Sequence, residues 1–260
     1  MKTISLYEDL QTSIHRLEPL GKLLYIVMVL LLPVIWGHKI ATVCCILLSI
    51  SLLAAGKVIR KTLPIISFSL IVILTVVIIQ GLFRAENETI MWQIGTLNFY
   101  REGLNFAFGI GLNVINLLLA FSILVLTTKP SDLIEALVKM GLSPKIGYVL
   151  SSVFQIIPQM SATMETITDA QRSRGMETEG KLMTRLKAFF PLIGPVVMNS
   201  LITTRERAIA LEVRGFNSKK SKSFLNTRKN TKADLYFKIA ICSMLGLSLI
   251  GRILLWRYLL

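Results

Sequence analysis

Uncharged apolar runs, separated by short polar breaks, dominate the first half of the chain and return at its end. Five runs lack Asp, Glu, Lys and Arg and are candidate membrane spans: residues 23–38, 40–56, 62–83, 103–128 and 239–251. A helix needs about 20 residues to cross the hydrocarbon core of a bilayer. The last run reaches that length as 236–256, because Lys238 and Arg252 can extend their charged ends to the interface. The pattern predicts five transmembrane helices, the first two forming a hairpin around Lys39.

Two further uncharged runs, 146–164 and 188–204, raise the alternative of seven spans. In the first run, polar residues recur at every fourth position: Ser151, Gln155, Gln159 and Thr163. The opposite helical face is apolar: Leu150, Val153, Phe154, Ile157, Met160, Met164 and Ile167. This periodicity predicts an amphipathic helix rather than a lipid-exposed one. The second run contains Pro191, Gly194 and Pro195, which predict a kink or a break, so we prefer five spans.

Positive charge is distributed unevenly among the segments between the runs. Residues 56–62 contain three basic residues and no acid, and residues 127–234 contain 17 Lys plus Arg against 9 Asp plus Glu. Residues 84–102 contain two basic residues against three acidic ones. Cytoplasmic loops of membrane proteins are enriched in Lys and Arg. The N-terminus, 56–62 and 127–234 are therefore predicted to be cytosolic, and 84–102 and the C-terminus to be outside.

Composition supports a membrane protein and accounts for its basic character. Of the 260 residues, 53% are hydrophobic and 17% are charged, whereas soluble domains carry about 25% charged residues. We attribute the net charge of +14 to cytosolic loops and anionic lipid rather than to nucleic acid. The predicted fold class is an all-α polytopic membrane protein. It has about five transmembrane helices and a cytosolic or interfacial domain of long amphipathic helices.

Two segments in the basic block repeat each other at a distance of forty residues. Ala170-Gln-Arg-Ser-Arg-Gly-Met176 and Ala210-Leu-Glu-Val-Arg-Gly-Phe216 share Ala, three residues, Arg, Gly and an apolar residue. Turn and capping residues predict helices over 132–140, 144–174 and 181–214, so both motifs end a helix. Arginine followed by glycine is also common at ordinary helix ends. The pattern alone therefore leaves capping and function open.

The chain lacks the residue clusters that catalysis or metal binding requires. Its two histidines, His15 and His38, have no Cys, His or acid at ligand spacing, and the three cysteines lie in apolar runs. Residues 175–181 match the first seven positions of a phosphate-binding loop. Leu182, however, stands where Ser or Thr would bind Mg²⁺, and no strand pattern precedes the loop. We expect no cofactor or metal on this chain, so any ATP binds a partner chain.

The chain resembles the transmembrane T component of energy-coupling factor (ECF) transporters over most of its length. The resemblance rests on these motifs: Ser13-Ile-His-Arg-Leu-Glu-Pro-Leu-Gly-Lys22, Thr127-Thr-Lys-Pro130, Leu133-Ile-Glu-Ala-Leu137, Phe154-Gln-Ile-Ile-Pro158, Glu165, Ala170-Gln-Arg-Ser-Arg-Gly175 and Arg205-Glu-Arg-Ala208 through to Phe216. The first motif departs from the family signature Ser-x-x-His-Arg-Leu-Asp-Pro-Arg-x-Lys at two positions. Glu18 replaces Asp, and Leu20 replaces Arg. The paired Arg-Gly motifs are the specific part of the match.

The resemblance implies a non-enzymatic subunit in the plasma membrane of a prokaryote. In this family two cytosolic ATPases, A and A′, bind ATP and Mg²⁺, and a separate S component captures a vitamin or metal ion. The implied ATPase-docking residues form two x-Arg-x motifs: Ser173, Arg174, Gly175, Val213, Arg214 and Gly215. The implied supporting residues are Pro158, Glu165, Ala170, Gln171, Ala210 and Glu212. The amphipathic faces of 144–174 and 181–214 are expected to pack on each other and on the S component.

The predicted domain organisation has five parts. They are a cytosolic N-terminal segment (1–22), four transmembrane helices (23–128), cytosolic coupling helices (129–216), a basic connector (217–235) and a final transmembrane helix (236–260). The expected partners are the two ATPases, the S component and membrane lipid, without nucleic acid. The competing hypothesis is a membrane scaffold whose basic cytosolic block binds anionic lipid or nucleic acid. An integral membrane enzyme is the weakest alternative, because the chain lacks a catalytic cluster.

Overall fold

A computed structural model describes Tyr7, Leu10 and residues 12–84, 88–94, 97–175, 182–218 and 232–259. Within these ranges the elements are α1 (Pro19–Trp36), α2 (Lys39–Ala55), α3 (Ile59–Phe83), β1 (Ile90–Ile94), β2 (Leu97–Tyr100), α4 (Arg101–Thr127), α5 (Pro130–Lys139), α6 (Pro144–Ser173), α7 (Leu182–Val213) and α8 (Lys232–Leu259). The dominance of helix confirms the predicted all-α polytopic class. Most of the predicted connector and most of the loop that resembles a phosphate-binding loop lie outside the described residues.

The chain divides into two compact units. The membrane unit comprises residues 5–136 and 228–260, and it contains α1–α4, both strands, most of α5 and α8. The α6–α7 unit comprises residues 137–227 together with 1–4. The division falls inside α5, between Ala136 and Leu137.

Four helices in the described ranges are long and apolar enough to cross a membrane: α1, α3, α4 and the Lys232–Leu254 part of α8. The apolar helix α2 is shorter, with 17 residues. Although α6 and α7 contain 30 and 32 residues, neither is among the candidate spans. This favours five spans over seven. Helix α1 begins at Pro19, within the predicted N-terminal segment, because proline fits the first turn of a helix.

Packing in the membrane unit is centred on α4, which contacts α1, α2 and α3, while α8 packs on α1. Buried apolar side chains of these helices form one cluster that includes Tyr25 and Val29. Several polar groups inside it are paired, although Asn116 Oδ1 has no hydrogen-bond partner among the described residues. The hydroxyls of Tyr25 and Ser49 share a hydrogen bond of 2.6 Å, and Asn116 Nδ2 donates to the Val29 carbonyl at 3.1 Å. Such pairing is required because lipid offers no hydrogen-bond partners.

A β-hairpin connects α3 to α4, and the sequence did not predict it. β1 and β2 pair antiparallel, with an irregularity between Ile90 and Trp92. The Thr89 N–H and hydroxyl donate to the Glu102 carboxylate at 3.2 and 2.5 Å, which ties the hairpin to the first turn of α4. Strands of five and four residues are too short to show the alternation by which strands are recognised.

Helix α7 runs without interruption through Pro191 and Pro195, in agreement with the helix predicted over 181–214, so of the predicted kink or break the break does not occur. Leu192 and Val196, each one residue after a proline, are buried in the α6–α7 unit. We attribute the continuity to this packing, which offsets the backbone hydrogen bonds that the prolines cannot donate. A prediction from the helix propensity of single residues does not include the burial of Leu192 and Val196.

Candidate functional site at two arginine helix ends

The C-terminal end of α6 is closed by backbone hydrogen bonds around Arg174. Arg174 is the capping residue, and its N–H donates to the Gln171 carbonyl at 3.1 Å. Gly175 follows with φ +87° and donates to the Arg172 carbonyl at 2.9 Å. The Ser173 hydroxyl donates back to the Asp169 carbonyl at 3.1 Å. The Arg174 side chain therefore lies exposed at the end of a well-formed helix.

The C-terminal end of α7 has the same construction. The Gly215 N–H donates to the Glu212 carbonyl at 2.9 Å, and the Phe216 N–H donates to the Leu211 carbonyl at 3.0 Å. Gly215 has φ +71°. These two bonds and the left-handed glycine form a Schellman motif. Arg214, whose N–H donates to the Ala210 carbonyl at 3.1 Å, is exposed just before the glycine.

Both glycines are needed for their backbone conformation rather than for space. A Cβ atom built on Gly175 or Gly215 would meet no heavy atom within 4 Å. Their positive φ angles are nevertheless unfavourable for residues with a side chain. Helix termination thus accounts for each glycine by itself. It does not account for an exposed arginine at the same place in both helices.

Helices α6 and α7 lie antiparallel. Phe216, beyond the end of α7, packs against Tyr148 at the start of α6 with the two rings tilted and their centroids 5.3 Å apart. Arg207, earlier in α7, donates from Nη2 to Gln159 Oε1 at 2.7 Å, further along α6. Arg214 and Arg174 therefore lie at opposite ends of the pair. With a rise of 1.5 Å per residue, the stretch of α6 from Tyr148 to Arg174 spans about 40 Å.

The contact between α6 and α7 is largely polar. A small cavity there is lined mainly by polar side chains: Gln159, Thr163, Asn199, Ser200, Thr203, Thr204 and Arg207, with Ile156 and Met160. Part of the polar stripe predicted for α6 thus faces α7. Most of the apolar face predicted for α6 is exposed instead: Leu150, Val153, Phe154, Ile157 and Met160. The two amphipathic helices thus contact each other, and the polar side of α6 takes part in that contact.

The proposed supporting residues fall into two groups. Gln171, Ala210 and Glu212 accept the backbone hydrogen bonds that close the two helix ends, and Ala170 lies beside them as an exposed residue of α6. Pro158 and Glu165 are exposed positions on α6, 16 and 9 residues before Arg174. At 1.5 Å per residue that places them about 24 and 14 Å from the helix end. The structure does not bring these two residues to either arginine.

A second polar cluster joins α1 and α4 of the membrane unit around Lys22, and the sequence analysis gave its members no separate role. Lys22 is only 2% exposed, and its Nζ donates to the Thr127 carbonyl at 2.9 Å and to Thr128 Oγ1 at 3.0 Å. The last carbonyls of a helix lack intrahelical partners, so Lys22 caps the C-terminal end of α4. A lysine at the edge of an apolar run is the available signal, but its partners lie more than 100 positions away.

The residue before α1 ties the same region to α8. The Glu18 N–H donates to Asp234 Oδ1 at 2.8 Å, and the Glu18 carboxylate forms an ion pair with Lys238 at 2.5 Å. Glu18 is one of the two departures from the family signature, and it keeps the negative charge that this pair requires. The signature motif thus connects α1 to both α4 and α8.

Among the residues that the structure describes, no group of three or more His, Cys, Asp and Glu side chains could hold a metal ion. Cys44, Cys45 and Cys242 are free thiols. His15 is buried, and its Nδ1 shares a hydrogen bond of 2.7 Å with the Thr12 hydroxyl. The ring packs edge-on against Tyr7. The surroundings of His15 are those of a packed structural side chain.

Comparison with known proteins gives consistent matches along the chain. The profile of the CbiQ family, described as cobalt transport protein, matches residues 11–224. A protein of Brevibacillus brevis named energy-coupling factor transporter transmembrane protein EcfT is 30% identical, over 95% of this chain and 96% of its own length. Proteins of the same name from Thermosediminibacter oceani and Exiguobacterium sibiricum are 28% and 27% identical. These matches cover 97% and 91% of this chain and 97% and 93% of the relatives.

Proposed function

The chain belongs to the CbiQ family and is a transmembrane component of an energy-coupling factor transporter, and we propose that it transmits ATP-driven motion from two cytosolic ATPases to a substrate-binding S component. It has no catalytic role in this proposal, and ATP and Mg²⁺ bind the ATPases. The observation that carries the proposal is the pair of exposed arginines at the two ends of the α6–α7 pair. Each of the two ATPases, A and A′, receives one arginine.

Arginine suits this task chemically. Its planar guanidinium offers five donors in a rigid fork, which matches carboxylate and carbonyl groups in a groove. A hydrogen bond to a charged group contributes about 1.5–3 kcal/mol. The preceding residues differ between the ends, Ser173 at one and the 84% exposed Val213 at the other. Different neighbours suit two ATPases that are similar but not identical. Glycine after each arginine adopts the left-handed backbone that ends the helix, which leaves the arginine at the exposed end.

The exposed apolar face of α6 supports the second half of the proposal. Leu150, Val153, Phe154 and Ile157 form part of one helical face and are exposed among the residues that the structure describes. A continuous exposed apolar face marks an interaction surface. We assign the S component to this face. The substrate, a vitamin or a metal ion, is then determined by the S component rather than by this chain.

The proposed location is the plasma membrane of a prokaryote, with the N-terminus and the α6–α7 unit in the cytosol. The excess of Lys and Arg in 127–234 supports this orientation. Both arginine ends then face the compartment that contains ATP.

The test is co-purification of the ATPases with the variant Arg174→Glu/Arg214→Glu. We expect complete loss of the ATPases with unchanged insertion in the membrane, because each guanidinium group is replaced by a carboxylate of opposite charge. The matched control is Arg172→Glu/Arg205→Glu, which makes the same charge change on the same helices. The control is expected to retain the ATPases. Undiminished ATPase binding by the Arg174→Glu/Arg214→Glu variant would refute the proposed docking residues.

A parallel measurement separates this function from the scaffold hypothesis. Binding to vesicles that contain anionic lipid, and to nucleic acid, is measured for the wild type and for both double variants at two salt concentrations. Equal, salt-sensitive losses for both variants indicate a diffuse basic surface. Loss of the ATPases in the Arg174→Glu/Arg214→Glu variant alone supports docking of the ATPases at these two arginines.

A further inference from the structure

The β1–β2 hairpin exposes consecutive apolar residues although it is firmly attached to the membrane unit. Ile90, Met91 and Trp92 are exposed, Trp92 to 73%. Strict alternation in a strand would turn every second side chain to the opposite face. The irregularity between Ile90 and Trp92 interrupts that alternation, and a bulge of this kind redirects side chains.

The hairpin is held in place by its other contacts. Phe99 of β2 packs against α3, where a Cβ built on Gly81 would lie 3.1 Å from its ring. The Arg101 N–H donates to the Thr89 carbonyl at 3.0 Å, and Thr89 donates to Glu102. The exposed residues of β1 are thus presented by an anchored backbone, and their exposure does not result from a lack of packing partners for the hairpin as a whole.

The hairpin follows a candidate membrane span whose exposed surface is apolar. Exposed apolar side chains follow α3 to its end at Phe83, which is 77% exposed: Phe68, Leu70, Ile71, Leu74, Ile78, Ile79 and Phe83. β1 begins seven residues later. Arg84, between them, lies over the Phe106 ring at 3.7 Å from its centroid. Aromatic and basic side chains just beyond a transmembrane helix are typical of the membrane–water interface.

We propose that Ile90, Met91 and Trp92 of the β1–β2 hairpin insert into the headgroup region of the bilayer at the ends of α3 and α4. The occupant of this apolar patch is lipid, because β1 begins seven residues after the end of a candidate membrane span with exposed apolar side chains, and Thr89 ties the hairpin to the first turn of the next span. Trp92 contributes an amphipathic ring that suits this depth. The hairpin then fixes the depth of the α3–α4 pair relative to the membrane surface.

The test is depth-dependent fluorescence quenching in vesicles containing the assembled transporter. Trp36→Phe/Trp256→Phe leaves Trp92 as the only tryptophan of this chain; the partner chains are made free of tryptophan. Bromine is placed near the headgroup end of the acyl chains in one lipid and near their middle in another. We expect about twofold stronger quenching by the shallow bromine, as for other interfacial tryptophans. The control, Ile71→Trp in a chain otherwise free of tryptophan, reports the middle of α3 and is expected to show the opposite order.

Two outcomes would overturn the proposal. Quenching of Trp92 by an aqueous quencher but by neither brominated lipid would place the hairpin in water. Protection from both the aqueous quencher and the lipids would show that another protein covers it. If the tryptophan replacements prevent folding, a spin label on Met91→Cys in a Cys44→Ser/Cys45→Ser/Cys242→Ser background gives the same depth. A collision rate with the polar relaxation agent far above that with oxygen would then contradict interfacial insertion.

Discussion

The membrane unit and the α6–α7 unit differ most in how much of each is buried. In the membrane unit a continuous apolar cluster joins α1, α2, α4 and α8, and the buried side chains of Lys22, Tyr25 and Asn116 each form a hydrogen bond to another helix. In the α6–α7 unit, Leu192 and Val196 are the buried apolar side chains among the described residues, and the helices meet through a largely polar contact. Two helices of 30 and 32 residues thus pack on each other with little apolar burial.

The membrane unit is stabilised by contacts within the chain, whereas the α6–α7 unit leaves an apolar helical face exposed. An apolar face left exposed on a helix is stabilised only when another surface covers it. A polar contact between two helices also tolerates small changes in their crossing better than a tightly interlocked apolar one, which has discrete arrangements. In the proposed function, the packed membrane unit and the exposed α6–α7 unit, which its partners would cover, suit a subunit that transmits motion.

The largest expected effect on the membrane unit comes from replacing Lys22, which caps the C-terminal end of α4. Lys22→Met is expected to lower the free energy of unfolding by about 1–3 kcal/mol, because the Thr127 carbonyl and Thr128 hydroxyl lose a buried charged donor. The loss should be equal with and without bound ATPases. Thermal unfolding of the purified chain measures it. Lys57→Met, an exposed lysine of the same unit, is the control, and an equal decrease for both variants would contradict the role of Lys22 as a cap.

Substitutions at the ends of α6 and α7 test the α6–α7 unit. We expect them to weaken ATPase binding in the complex and hardly to change the stability of the isolated chain. Gly175→Ala/Gly215→Ala forces two side chains into left-handed backbone, at a cost of about 1–2 kcal/mol for each residue. The last turns are then expected to fray, weakening ATPase binding about 5- to 30-fold per site. Binding titration measures this effect, and the melting temperature of the free chain serves as a reference.

A conservative variant shows whether backbone conformation is the cause. Asparagine adopts left-handed backbone more readily than alanine, so Gly175→Asn/Gly215→Asn is expected to retain most of the affinity. If the asparagine variant loses as much affinity as the alanine variant, the glycines serve close approach to the ATPase rather than helix termination.

The smallest expected effect concerns the polar contact between α6 and α7. A double-mutant cycle of Arg207→Met and Gln159→Met is expected to give a coupling free energy of about 0.5–1 kcal/mol, the range for an exposed hydrogen bond. Amide hydrogen exchange in α6 measures it. Arg205→Met, two positions earlier on α7, replaces Arg207→Met in the control cycle, and an equal coupling there would show that the hydrogen bond contributes nothing specific.

Local sequence determined the helices and their ends. The apolar runs predict α1, α3, α4 and α8, because crossing a bilayer requires a long segment without charge. The Arg-Gly pairs predict the ends of α6 and α7 within one residue, because a helix is capped by groups no more than about six positions apart. The short strands escaped prediction because they show too little alternation of apolar and polar residues. The possible break at Pro191 and Pro195 does not occur, because the packing of α7 outweighs the propensity of proline.

Tertiary structure alone decided which surfaces meet. The stripe that contains Gln159 identifies α6 as amphipathic, but only the fold shows that this polar face contacts α7 and that the apolar face is exposed. The fold also places Arg174 and Arg214 at opposite ends of an antiparallel pair. It joins Lys22 to residues more than 100 positions away. Such contacts depend on how distant segments pack, whereas capping and periodicity depend on neighbours along the chain.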